Sequence, residues 1–165
     1  MKIILGINCF HADSSACLLI DGQLIGAIAE ERLGPRIKHD SSFPINSINY
    51  LLSSNNLNLA DVDIIALPRN TKSNLIAKFF YVLKNPLSSW GAVNEHFYRT
   101  FNSKKEIDQF GLFFKKKLKF KIYNIEHHLA HIASSYYLSP YDKETTAKSY
   151  DSSGDFVSMM IAKCE

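Results

Sequence analysis

Asp21-Gly22 stands between the apolar run Ala16 to Ile20 and the strand-like run Gln23 to Ala29, and a dipeptide of this kind folds a strand back onto its neighbour. Aspartate and glycine accept the positive φ angles that so tight a turn needs. Upstream, Lys2 to Ile7 is apolar and strand-like, and the polar stretch Phe10 to Ser15 separates it from the second run. The chain is therefore expected to open with a three-stranded antiparallel meander.

The acidic pair Glu30-Glu31 leads out of the meander into a loop, Arg32 to Pro44, that carries Gly34 and Pro35. Loops that leave a sheet with Arg36, Lys38 and His39 side by side often touch anions, the alternative being a solvated surface. After Pro44, Ile45, Ile48, Leu51 and Leu52 recur at helical spacing, and Asn55-Asn56 helps to end that helix. Asp63 to Leu67 reads as a short buried strand stopped by Pro68. Three aromatic stripes follow, Leu75-Phe79-Val82-Leu83, Trp90-Val93-Phe97-Phe101 and Ile107-Phe110-Phe114. They are expected to be helix packing surfaces, a ligand-binding aromatic pocket being the lesser reading. Lys117 to Ile125 returns to the sheet. Its lysines alternate with apolar residues as on an outer strand kept from pairing with other chains, with a polyanion patch as the alternative.

At 165 residues the chain has the size of one ordinary domain. A formal charge of +3 falls well short of the basic excess that marks a nucleic-acid binder. Cys9, Cys17 and Cys164 are odd in number and have no paired spacing, so neither a disulfide framework nor a cysteine zinc site is expected, and reduced cytosol is the expected location. The start, Met1 to Cys9, resembles a lipoprotein signal, but its apolar run is too short. No stretch is long and apolar enough to span a membrane.

His127 and His131 stand four residues apart in His127-His128-Leu129-Ala130-His131, inside a helix expected from about His128 to Tyr137. That spacing puts both imidazoles on one face, where they can grip one divalent cation if a third ligand arrives from elsewhere. Asp151 is the candidate. It follows an expected strand, Thr145 to Tyr150, and opens the turn Asp151-Ser152-Ser153-Gly154-Asp155 at the end of a sheet. The alternative is a helix with two hydrogen-bonded histidines and an aspartate that merely starts a turn.

Two polar loops echo each other: one with His11, Asp13, Ser14 and Ser15, the other with Asp151, Ser153, Gly154 and Asp155. Each joins an incoming strand to an outgoing one. Paired loops of this kind, each opening a β-β-β-α lobe, characterise the actin and sugar-kinase architecture. The expected fold is thus α/β, an actin/sugar-kinase-like (RNase H-like) mixed sheet with flanking helices. Residues 1–165 would form a first lobe with a helix-rich insertion at about 70–116, and a second lobe beginning at about 145. Phe156 to Ala162 reads as a strand that is apolar on both faces and wants neighbours, so the chain is expected to be the front part of something longer.

The ordered set Ile4-Leu5-Gly6-Ile7-Asn8, His11-Ala12-Asp13-Ser14-Ser15-Ala16, Glu30-Glu31-Arg32 with Arg36-Ile37-Lys38-His39, and His127-His128-Leu129-Ala130-His131 resembles the antibiotic and nodulation-factor O-carbamoyltransferases. The resemblance covers the whole chain and the amino-terminal third or so of that family. It implies that carbamoyl phosphate and ATP are joined into carbamoyl-adenylate, whose carbamoyl group passes to a hydroxyl of a sugar, glycan or antibiotic. It further implies His11 as general base, Lys38 as a contact to the carbamoyl-adenylate, and Ser153, Gly154 and Asp155 along the nucleotide. His127, His131 and Asp151 would hold iron, though two imidazoles and a carboxylate equally suit zinc or manganese. The family usually reads Asp-Gly-x-Gly-Asp/Glu after an apolar strand. Here Ser152 takes the first glycine's place, and Lys148 and Ser149 are expected to interrupt the strand. A separately encoded carboxyl-terminal portion is an expected partner. Two other readings stand beside this one: a non-catalytic remnant or assembly partner, and a relative that transfers threonylcarbamoyl to tRNA.

Overall fold

The computed structural model describes residues 1–9, 13–34, 39–70, 73–85, 120–141, 144–154 and 157–165. Two compact units divide the chain: Met1–Thr71 with Lys119–Glu165, and Lys72–Leu118.

In the first unit, β1 (Ile3–Asn8), β2 (Ser15–Ile20) and β3 (Gln23–Ala29) form the expected antiparallel meander. Asp21 and Gly22 turn β2 into β3 at φ 50° and 85°, and Ile20 pairs directly with Gln23. The sheet continues in the other sense. β4 (Ile64–Leu67) lies parallel to β1, and β5 (Lys121–Asn124) lies parallel to β4, giving the order β3-β2-β1-β4-β5. Three antiparallel strands followed by parallel ones beside the first is the sheet of an actin-like lobe. β5 ends the strand order, as expected of an outer strand, but it is shorter than Lys117 to Ile125 and all four of its residues are exposed, so the expected alternation of one wet and one covered face is not seen in it; Lys117 to Lys119 lie outside the described residues.

The core follows the two-residue period of the strands. Ile3, Leu5 and Ile7 of β1, Ala16 and Leu18 of β2 and Ile65 of β4 are buried, together with Ile48, Leu51 and Leu52 of helix α1 (Ile45–Ser53). α1 packs on β2 and β3, and it comes so close that a Cβ on Gly26 would meet Leu51 Cδ2 at 3.0 Å. Asn56, at φ 55°, takes the left-handed conformation just past the helix, where asparagine was expected to help end it. Asp63 is half of a long-range tie, its carboxylate accepting from the Ile3 N–H at 2.8 Å.

A second, two-stranded sheet is built from β6 (Thr145–Gly154) and β7 (Val157–Cys164), and helix α3 (His127–Tyr136) packs against both strands. The expectation that Lys148 and Ser149 interrupt the strand is corrected. Both lie within β6, because Lys148 faces solvent while the buried Ser149 hydroxyl is hydrogen-bonded to His128. The expectation that Asp151 opens a turn is corrected as well: the ladder runs past it to pair Gly154 with Val157.

In the second unit, α2 (Leu75–Lys84) occupies the first aromatic stripe. None of its residues is buried, and Leu75, Phe79, Val82 and Leu83 are exposed, so the stripe is not the covered packing surface it was expected to be. Its composition satisfies helical period without a described neighbour to cover it. The stripes at Trp90–Phe101 and Ile107–Phe114 lie outside the described residues. Among the described residues no helix is long and apolar enough to cross a membrane.

Candidate functional site

Glu126 starts α3. Its side chain accepts from the Leu129 N–H at 2.7 Å, satisfying one of the donors that a helix start leaves without a partner. The first turn is thereby set so that His127 and His131 lie one above the other, with ring centroids 4.6 Å apart and planes at 80°.

Asp151 meets them from β6. Its Oδ2 lies 2.9 Å from His127 Nε2 and 3.9 Å from His131 Nε2, and the two Nε2 atoms are 3.1 Å apart. The reason is local to the hairpin. Tyr150 pairs with Met159 and Gly154 with Val157, so the register shifts between Tyr150 and Gly154. Extra residues on one strand bend it and re-aim side chains, and Asp151 sits in that irregular stretch.

Two imidazoles and a carboxylate that converge in this way are a donor set able to hold a metal ion. His127 Nε2 carries either a proton or an in-plane lone pair, so it cannot at once donate to Asp151 and accept from His131. A cation accepts all three lone pairs together. A tetrahedral ion with bonds of about 2.0–2.2 Å spaces its ligand atoms about 3.3–3.6 Å apart, and the observed separations of 2.9, 3.1 and 3.9 Å bracket that range. The side chains of His127, His131 and Asp151 are 22%, 56% and 40% exposed, so a ligand could reach an ion there from solvent. An open cleft of about 320 Å³ lined by His131, Ser135 and Asp151 adjoins them.

His128 was missed as a site residue by sequence reasoning. Its ring stands at 89° to that of His127 and points into the packing between α3 and the hairpin, where it is fully buried. Nδ1 lies 2.8 Å from Ser149 Oγ and Nε2 lies 2.8 Å from the Val157 carbonyl oxygen. A second histidine beside the first was the available signal, since a polar residue on the inner face of a helix must find partners.

In the sequence Glu30 belongs to the acidic pair that leads into the loop and to the Glu30-Glu31-Arg32 motif, with no role of its own assigned. Its carboxylate is buried and accepts four hydrogen bonds, from the N–H and side-chain amide of Asn46 and from the N–H and hydroxyl of Ser47. It thereby closes the loop 33–44 by tying its beginning to the first turn of α1. Ser14 ties the same loop to the β1–β2 connection, its N–H donating to the Asp40 carbonyl at 2.8 Å while its own carbonyl accepts from the Glu30 N–H.

His11, Lys38 and Asp155 lie outside the described residues. Ser153 and Gly154 fall in the last part of β6. The structure thus brings together His127, His131 and Asp151 of the expected site.

The family model described as "Carbamoyltransferase N-terminus" matches residues 3–163. The chain belongs to that family. Among the curated proteins it is similar to, "Uncharacterized protein sll1178" of Synechocystis sp. is 35% identical over 151 residues, 87% of this chain and 24% of that protein. "Nodulation protein NolNO" of Sinorhizobium fredii is 30% identical over 160 residues, 94% of this chain and 22% of that protein. The chain thus spans about a quarter of the length of these relatives. Among solved structures, YeaZ from Pseudomonas aeruginosa is similar at a TM-score of 0.40 and 14% identity, covering 98% of this chain and 64% of that one. It is the strand order, not this likeness, that marks the lobe.

Proposed function

We propose that this chain is the amino-terminal part of an O-carbamoyltransferase, which passes a carbamoyl group from carbamoyl-adenylate, made from carbamoyl phosphate and ATP, to a hydroxyl of a sugar, glycan or antibiotic. Family membership over residues 3–163 supports the reaction class. The observation that carries the reading is the convergence of His127 Nε2, His131 Nε2 and Asp151 Oδ2.

The acceptor oxygen attacks the carbamoyl carbon, the bond from that carbon to the phosphate oxygen breaks, and AMP leaves with the electron pair. His11 takes the acceptor's proton, a role that suits an imidazole at neutral pH and is typically worth about a hundredfold to ten-thousandfold in rate. Lys38 supplies a positive point charge to the adenylate, and Ser153, Gly154 and Asp155 border the nucleotide. His127, His131 and Asp151 hold a divalent ion, iron first and zinc or manganese by the same donor chemistry. An ion held there would supply positive charge to offset the negative charge gathering on the phosphate.

Thermal unfolding with Fe(II), Zn(II) or Co(II) added tests the reading. Binding to the folded state alone raises the midpoint, at a hundredfold excess over Kd by about 2.7 kcal/mol of added stability. H127A, H131A and D151A are expected to remove the rise. No metal-dependent shift in the unsubstituted chain would count decisively against the cluster. Transfer of labelled carbamoyl on mixing the chain with a separately made carboxyl-terminal portion of a relative tests the reaction itself.

A further inference from the structure

We infer that His128 is the positioning residue of the His127/His131/Asp151 cluster, acting through Ser149 to hold Asp151 opposite the two imidazoles; this rests on the metal reading above.

The inference starts from burial. The His128 ring is 0% exposed, yet both of its nitrogens have partners. The Val157 carbonyl can only accept, so Nε2 carries a proton and donates to it. A neutral ring then has its lone pair on Nδ1, which accepts from the Ser149 hydroxyl. One tautomer and one ring orientation satisfy both contacts. Ser149 belongs to β6 and Val157 to β7, so a single side chain pins α3 to both strands of the hairpin.

Position along the strand carries the effect to the cluster. Ser149 and Asp151 are two residues apart on β6, and both meet the first turn of α3, Ser149 at His128 and Asp151 at His127. His127 and His128 are consecutive at the start of α3, so the contact at 128–149 lies beside the contact at 127–151. Asp151 itself lies in the irregular stretch of the ladder, where the register shifts between Tyr150 and Gly154. Regular pairing stops at Tyr150↔Met159, and the His128 ring grips the hairpin on either side of that break, at Ser149 and at Val157. Groups that orient metal ligands typically change metal affinity by about 10–100-fold when they are lost.

S149A and H128Q test the inference, with I132V as the control. Ile132 is the other buried contact of α3, and I132V loosens the packing without touching the hydrogen bonds. Two measurements are made on each variant: Co(II) affinity with its visible absorption spectrum, and, without metal, the NMR cross-relaxation between the His127 ring proton Hε1 and the Asp151 β protons. S149A is expected to weaken Co(II) binding about 10–100-fold, to alter the spectrum, and to lose the His127–Asp151 cross-peak. I132V is expected to lower the melting temperature while keeping all three. H128Q, whose amide can still donate to Val157 but cannot accept from Ser149 in the same place, is expected to follow S149A. If S149A and H128Q keep the cross-peak, the inference is overturned whatever the metal does. If the unsubstituted chain shows the cross-peak and S149A loses it, but neither binds Co(II), the metal reading fails while the positioning role stands.

Discussion

Asp13 and His39, 26 residues apart, hold each other across two loops, with Oδ1 of the one 2.9 Å from Nδ1 of the other, and both have left-handed backbones at φ 65° and 61°. The aspartate belongs to the connection that carries His11 and the histidine to the loop that carries Lys38. A left-handed backbone costs an ordinary L-residue about 1–2 kcal/mol, and such positions gather where a fold holds functional loops in place.

Glycine has no such cost, so D13G and H39G are expected to be more stable than D13A and H39A by about 1 kcal/mol each, although all four lose the Asp13–His39 hydrogen bond. The pair itself, with side chains 55% and 59% exposed, is expected to contribute at most about 1 kcal/mol. Urea unfolding of the four variants checks both statements. Equal midpoints for the glycine and alanine variants would remove the strain.

The four hydrogen bonds at Glu30 make a second case. E30Q puts an amide nitrogen where an oxygen now faces donors from Asn46 and Ser47. A loss of about 2–3 kcal/mol is expected, against less than about 0.5 kcal/mol for E31Q on the neighbouring residue. Chemical denaturation measures it, and an E30Q midpoint equal to that of E31Q would show that the carboxylate is not a clamp.

Gly6 sits opposite Cys17 in the β1–β2 ladder, and a Cβ there would lie 2.5 Å from Cys17 Sγ. Burial pushes the Cys17 thiol up from its usual pKa, so it faces this contact as an uncharged group at neutral pH. G6A is expected to destabilise by about 1–3 kcal/mol. Removing the sulfur makes room for the methyl, so G6A/C17A is expected to be more stable than the sum of the single changes predicts. Strict additivity in the double-mutant cycle would contradict the contact.

Asp40 supplies a pH dependence. The Ser42 hydroxyl, and then its N–H, hold the exposed Asp40 carboxyl below its usual range. A depressed carboxyl stabilises the fold above the unfolded-state pKa, and that stabilisation is lost as pH falls through the lower folded-state value. The unsubstituted chain is therefore expected to be more stable than D40N at neutral pH, with the difference closing as pH falls below the carboxylate range. A difference that stays constant between neutral and strongly acidic pH would rule out this origin.

The parts of the fold that were legible in sequence are those whose rules are local. Asp21-Gly22 needs only its own φ angles to turn a chain, and Ile48, Leu51 and Leu52 need only helical period to share a face. Lys148 and Ser149 misled because polarity in a strand reads as interruption unless the partner is known, and the partner, His128, is 21 residues away. The leucines and phenylalanines of α2 misled in the opposite sense, since period predicts a helix without saying what covers it.

The amino-acid order by itself determined the meander, the helix carrying His127 and His131 one turn apart, and membership in a family. Tertiary structure alone decided that Asp151 reaches those imidazoles, that His128 grips Ser149 and Val157, and that the Glu30 carboxylate finds the start of α1. The physical reason is the reach of the interactions. Backbone angles and side-chain periods act over a few residues, whereas a buried polar group takes its partner from whatever the packed core brings beside it.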